Sequence, residues 1–322
     1  MDRNLRIELH KTMMQLRLTE QRLAEVYKEQ IIRTPVHFGV GQEAVAAGVC
    51  KALAEGDVVY SHHRCHNHYL AQGGDLYGLI AELMGKADGC SQGRGGSVHL
   101  TDRSKGFVIS SAILGQTVAV ATGSALAFKM DGAKNVAVPF LGDATLEEGG
   151  FWESLNYAAI HGLPVLFVCE NNGYSTESPP HVREPAGTTL SGRVAGFGVT
   201  TAQVDGNDIE KVYAAAADAA EYCRSGKGPF FLECATYRWL EHVGPYFDHE
   251  LGRSYRSQEE VESWMTRDPL AASQAKLIEN GDATIDEIES WMTQVIDEID
   301  RAIDKARQAP WPEVSTLFAN VY

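Results

Sequence analysis

Two apolar runs, VAVPFLGDA at 136–144 and LPVLFVCENN at 163–172, constrain this 322-residue chain more than any other feature. Each is nearly continuous, as strands buried on both faces of a parallel sheet are. Each also stops abruptly at small polar residues, Gly-Asp in the first and Asn-Asn in the second. The segment between them, EEGGFWESLNYAAIHG, carries Phe151, Leu155 and Ala158 at helical spacing. Strand, helix and strand over so few residues read as a βαβ unit. A third run, PFFLECATY at 229–237, follows a helical pattern from Ile209 to Arg224 and predicts another parallel strand. The predicted fold class is therefore α/β, a parallel sheet with helices on both faces.

The flanks read as helix. Apolar residues at Leu5, Leu9, Met13, Leu16, Leu23 and Val26 give 3–30 an amphipathic pattern. Segments 42–54 and 75–85 follow, the latter opened by Asp75 as an N-cap. A polar, Gly/Pro-punctuated stretch after the third run has the length of a functional loop, about 238–256. Beyond it the chain is helical and acidic, over 259–265, 269–280 and 284–308. The expected organisation is one α/β domain over 1–260 with a helical C-terminal region, 261–322, packed upon it.

Composition narrows the partners. Lys and Arg number 28 against 43 Asp and Glu, and the resulting charge of −15 disfavours nucleic acid and anionic membranes. No apolar stretch approaches the roughly 18 residues of a membrane helix, and the charged N-terminus does not read as a signal peptide. Six scattered cysteines without a C-x-x-C pair read as reduced thiols, so a cytoplasmic location is expected.

An open parallel sheet binds ligands beyond the carboxyl ends of its strands. Asp143 and Asn172 stand at two such ends, 29 positions apart, and one crossover would set them side by side. A carboxylate, an amide oxygen and a nearby backbone carbonyl make an all-oxygen set suited to Mg²⁺ or Ca²⁺. Ligand phosphates would complete such a shell, which makes a diphosphate the natural companion. Each dipeptide alone is ordinary strand-to-loop turn chemistry; the shared spacing and crossover favour a site. SHHRCHNHY at 61–69 offers His62, His63, Cys65, His66 and His68 within seven positions. That crowding, with no distant ligand pair, suits tetrahedral zinc poorly. GCSQGRGGS at 89–97 is glycine-rich but lacks the spacing of a nucleotide phosphate loop.

GDATLEEGGFWESLNYAAIHGLPVLFVCENNGY resembles the thiamine-diphosphate motif, a Gly-Asp-Gly followed some thirty residues later by Asn-Asn. With GCSQGRGGSVHL, ILGQTVAVATGSALA, TYR and SYRS, residues 30 to 260 look like the alpha subunit of the 2-oxo acid dehydrogenase first component and of acetoin dehydrogenase. The resemblance implies a thiamine-diphosphate-binding fold, with thiamine diphosphate and Mg²⁺ as cofactors. It assigns the metal to Asp143, Asn172 and the backbone carbonyl of Tyr174, with Gly142, Ala144 and Thr145 beside it. Ala144 stands where the family usually has Gly, which is tolerable where φ is negative. Arg64 and His66 match an Arg that faces the diphosphate and a His at the reacting centre. Ala112 and Leu114 match residues whose backbone holds the aminopyrimidine ring. Arg238 and His242 match an Arg and a His at the channel entrance.

The implied reaction is oxidative decarboxylation of a short, pyruvate-like 2-oxo acid, with acyl transfer to a lipoyl carrier or another acceptor. Acetoin is the second substrate reading, favoured by HRCHNH and by AGFG at 195–198; a thiamine enzyme of specialised metabolism with a different acceptor is a third. The family also implies a partner beta subunit, two alpha with two beta chains, and possible pairing with a lipoyl-bearing acyltransferase. From other classes, a non-catalytic binding subunit and a nucleotide-dependent α/β enzyme stay open.

Overall fold

In the computed structural model, which describes residues 1–319, the two apolar runs become adjacent parallel strands, with Phe140 opposite Val168 and Gly142 opposite Glu170. In chain order the strands are β1 Val58–Ser61, β2 Phe107–Ser110, β3 Ala137–Gly142, β4 Leu166–Asn171, β5 Thr200–Asp205 and β6 Phe230–Ala235. They form one sheet in the order β2-β1-β3-β4-β6-β5, every pair parallel. The helices are α1 Arg3–Lys28, α2 Glu43–Ala52, α3 His66–Ala71, α4 Leu76–Leu83, α5 Gln116–Asp131 and α6 Gly149–His161. After them come α7 Pro180–Arg183, α8 Leu190–Ala195, α9 Ile209–Arg224, α10 Gln258–Met265, α11 Pro269–Glu279 and α12 Ile285–Gln308. Among the described residues, no helix is long and apolar enough to cross a membrane.

Strand alternation feeds two cores. Val138, Phe140, Leu166 and Val168 pack with α1, α2, α4 and α9 on one face. Leu141, Phe167 and Cys169 pack with α5, α6 and α8 on the other. Period 2 thus sends neighbours to opposite faces, and both must be apolar because both are covered. The C-terminal helices lie on the α1 side, where α11 touches α1 and α2 and α12 touches α1 and α4. A buried ion cluster ties them in: Arg17 donates to Glu43 at 2.5 and 2.8 Å and to Asp268 at 3.0 Å.

The helix signals were local and legible. The Asp75 side chain accepts from Gly78 N–H and caps α4, and Thr284 with Glu287 forms a capping box on α12. Three strands carry weaker signals. β1 and β2 have four residues each, and β5 is an edge strand, TTAQVD, with no fully buried residue. Helix α5 has no amphipathic stripe, since apolar residues surround it; Val118 and Ala121 face the core while Val120 and Met130 face solvent.

The glycine-rich segment 89–97 is a cradle, but the chain fills it itself. Buried Glu82, on α4, accepts from the N–H groups of Ser91, Gly93, Gly95 and Gly96 at 2.8, 2.8, 2.7 and 3.2 Å. Glycine is required here by contact: a Cβ on Gly95 would lie 1.9 Å from the His99 carbonyl oxygen. Glu82→Gln turns one acceptor into a donor that faces N–H groups. It is expected to lower unfolding free energy by about 3 kcal/mol in a denaturant titration. Unchanged stability would remove Glu82 as the organiser of this loop.

Candidate active site

Beyond the carboxyl ends of β1, β3 and β4 opens a cavity of about 310 Å³. Strand β3 delivers Gly142 and Asp143 to its wall, and a 3-10 turn over Asp143–Glu147 adds Ala144 and Thr145. Ala144 is not among the residues with positive φ, so its methyl group is tolerated. Strand β4 brings Glu170, and the segment after it Asn172 and Tyr174. Tyr174 turns its hydroxyl to Glu260, 2.8 Å away. The Asn172 side-chain oxygen accepts from Tyr174 N–H at 3.1 Å.

Asp143 is 4% exposed. Burial raises its pKa, and an ion pair with the Arg183 guanidinium of α7 partly offsets that. The carboxylate therefore already has a cationic partner, at the position where a metal ion would supply one. Arg64, which also lines the cavity, is 5% exposed, and among the described residues no carboxylate lies within ion-pairing distance of it. One guanidinium N–H donates to the Phe38 carbonyl. Burial, then Arg238, lowers its pKa to about 9, so it stays charged at neutral pH. Glu170 and Glu20 offset part of that burial without pairing with it directly, and an anionic ligand in the cavity would stabilise the charge further.

Ala112 and Leu114 form the third side, before α5. Histidines form the fourth, and they divide into two kinds. His62 is fixed: Nε2 lies 2.9 Å from Glu170 Oε2, and Nδ1 accepts from Arg64 N–H, which puts its proton on Nε2. Burial pushes the Glu170 carboxyl up, yet His68 and His62 beside it hold it below the usual range. His37, His63 and His242 face the cavity without such partners. Burial, then neighbouring charge, lowers His37 to about 2 and His242 to about 3, with His63 also held well below the ordinary value. All three are neutral imidazoles at pH 7.

Two expected site residues do not reach the wall. His66 opens α3 and is 1% exposed; Nδ1 meets Glu20 at 2.6 Å and Nε2 meets Ser97 Oγ at 2.9 Å. With both nitrogens engaged inside the protein, it positions α3 rather than facing a reacting group. Arg238 lies behind the cavity, 1% exposed, donating to the carbonyls of Leu240 and Thr176 and to the Tyr255 hydroxyl. It supports Thr176, a lining residue held at φ 53°, a conformation strained for a β-branched side chain. His37 and Glu170 were missed as site residues. Glu170 sits inside the CENN run, but nothing local marks the isolated His37.

The remaining expected residues, Arg64, Ala112, Leu114, Gly142 to Thr145, Asn172, Tyr174 and His242, share this one cavity. The profile of the family described as Dehydrogenase E1 component matches residues 11–315. The chain belongs to this E1 dehydrogenase family. It is 38% identical over 316 residues to the alpha subunit of the acetoin:2,6-dichlorophenolindophenol oxidoreductase of Bacillus subtilis, covering 98% of this chain and 92% of that one. It is 37% identical over 316 residues to the pyruvate dehydrogenase E1 component subunit alpha of Rhizobium meliloti, covering 98% and 89%. The mitochondrial counterpart of Dictyostelium discoideum is 37% identical over 298 residues, 92% of this chain and 77% of that one. Membership of the E1 family thus extends over the C-terminal helices as well as the sheet.

Proposed function

We propose that this E1 chain is the alpha subunit of a thiamine-diphosphate- and Mg²⁺-dependent dehydrogenase acting on a short 2-oxo acid. The observation that carries the reading is that one cavity is lined both by Arg64, a buried cation with no carboxylate within ion-pairing distance, and by an oxygen set at Asp143, Asn172 and Tyr174. A diphosphate would bring the anion that Arg64 does not pair with in the chain, and its metal ion would compete with Arg183 for Asp143. The donor set fits: Asp143 offers a carboxylate, Asn172 an amide oxygen and Tyr174 a backbone carbonyl, all hard ligands suited to Mg²⁺. When bound, thiamine diphosphate supplies a nucleophilic carbon and an electron sink for cleavage beside a carbonyl.

The chain's own residues do the rest. Arg64 holds diphosphate charge, and the main chain at Ala112 and Leu114 orients the ring end. Arg238 fixes the Thr176 turn and with it one wall. His242 presents a neutral imidazole able to donate or accept a hydrogen bond where substrate charge develops. Acetoin is the second reading, favoured by the HRCHNH sequence that places His63 on the wall.

The partner chain is a beta subunit, in an assembly of two alpha and two beta chains, with a lipoyl-bearing acyltransferase as the acyl acceptor. Support comes from the solvent face of α5 and α6, where Val120, Met130, Tyr157 and Ile160 are 48, 78, 42 and 69% exposed. An apolar face of that kind fits a large subunit interface. Six unpaired cysteines, five of them buried, fit the reducing cytoplasm.

The test is to purify the tagged chain with its native partner and assay 2-oxo acids and acetoin with an artificial electron acceptor. A short 2-oxo acid is expected to give cofactor-dependent turnover; a preference for acetoin selects the second reading, and turnover of neither refutes both. In that assembly His242→Ala is expected to lower kcat about 100-fold while leaving cofactor affinity unchanged. Normal turnover would exclude His242 from the mechanism.

A further inference from the structure

Three histidines from distant parts of the chain meet on one side of the cavity: His37 before α2, His63 after β1 and His242 after β6. Their ring centres are 4.5, 4.9 and 5.5 Å apart. One ring nitrogen from each lies within 4.8 Å of the others. No hydrogen bond to a described residue holds any of the three rings, and His37 Nδ1 is buried without a partner. The neighbouring histidines are different. His62 is held by Glu170, and His66 by Glu20 and Ser97.

We propose that His37, His63 and His242 form a binding site for a transition cation of the Zn²⁺ class, with a fourth coordination position open to the cavity. Tetrahedral bonds of about 2.0–2.1 Å put ligand nitrogens about 3.3 Å apart. The rings need to close by roughly an ångström or less per side, within the reach of small χ adjustments in half-buried side chains. Three imidazoles with an open position are the ligand pattern of a reactive zinc centre rather than a closed structural one.

Nitrogen ligands also separate this site from the oxygen set at Asp143. Mg²⁺ takes oxygen, whereas Zn²⁺ and Co²⁺ take imidazole, so each ion has its own wall of one cavity. The Arg64 charge in the same cavity works against a second cation, and Mg²⁺ would not overcome it. Direct nitrogen coordination can. Of the crowded 61–69 histidines only His63 takes part; the distant ligands that zinc lacked in the linear sequence are supplied by the fold. The inference goes beyond the cofactor reading and shares His242 with it: one ring nitrogen ligates the cation, the other is left to donate a hydrogen bond, and no diphosphate is needed.

The test uses the full-length chain, stripped with a chelator and kept in saturating Mg²⁺, and titrated with Co²⁺ while visible absorption is recorded. One Co²⁺ per chain is expected, with the strong visible bands of a four-coordinate ion, displaced by an equal amount of Zn²⁺. His37→Gln, His63→Tyr and His242→Gln should each weaken Co²⁺ binding about 100-fold or more, whereas His161→Gln, at an exposed position, should not. Thermal melts identify any variant that fails to fold, and the remaining ones decide. Missing bands, or bands that survive the folded triad variants, overturn the proposal. Bands lost in Asp143→Asn would also overturn it, because the cobalt would then be at the oxygen set.

Discussion

Replacing Asp143 by Ala is expected to weaken Mg²⁺-dependent binding of thiamine diphosphate by more than about 100-fold, close to 3 kcal/mol. The residue supplies the one carboxylate of the proposed oxygen set, and Asn172 and Tyr174 contribute no formal charge to replace it. The same change leaves the Arg183 guanidinium without its buried partner. Some loss of stability will therefore accompany the loss of affinity. Asp143→Asn separates the two effects, because it keeps the shape and a hydrogen-bonding oxygen while removing the charge. Calorimetry on both variants checks the claim. Equal cofactor affinity in wild type and Asp143→Ala would exclude it as a metal ligand.

The second large effect is on activity without a partner. Given thiamine diphosphate, Mg²⁺, pyruvate and an artificial electron acceptor, the isolated chain is expected to show no sustained turnover. Thiamine activation needs a carboxylate at the pyrimidine ring nitrogen. The cavity holds two acidic side chains, Asp143 and Glu170. Asp143 is paired with Arg183 and belongs to the metal set. Glu170 is locked between His62 and His68, with its oxygen 2.9 and 3.2 Å from their nitrogens. Neither is free to serve the ring, which is why the proposed partner chain is expected to supply that carboxylate. Adding the partner chain should restore turnover from background, and full turnover by the isolated chain would refute the split site.

Much of this was legible because some residues report on their surroundings over short distances. The apolar runs ending at Gly142-Asp143 and Asn171-Asn172 marked the parallel strands and put their polar ends beside one cavity, since a strand covered on both faces leaves no polar positions until its end. Asp75 and Thr284 announced their helices through local hydrogen bonds. The failures concern long-range partners. His66 looks identical in sequence to a cavity histidine, and only the fold shows it clasped by Glu20, 46 positions away. Arg238 sits in a loop whose other face is invisible from the chain. His37 became part of the site because the segment before α2 and the segment after β6 close over the same strand ends, a juxtaposition no local spacing encodes. Helix α5 escaped because its outward face is apolar too, with Val120 and Met130 exposed, so no stripe stands out.

The cavity beyond the carboxyl ends of β1, β3 and β4 is proposed to hold a diphosphate through Mg²⁺ and Arg64. Calorimetric titration of the partner-assembled protein with thiamine diphosphate, and separately with unphosphorylated thiamine, each with and without Mg²⁺, tests it most directly. Tight binding of the diphosphate is expected only when Mg²⁺ is present, with little or no binding of thiamine under either condition. Equal affinity for the two compounds, or diphosphate binding indifferent to Mg²⁺, would contradict it.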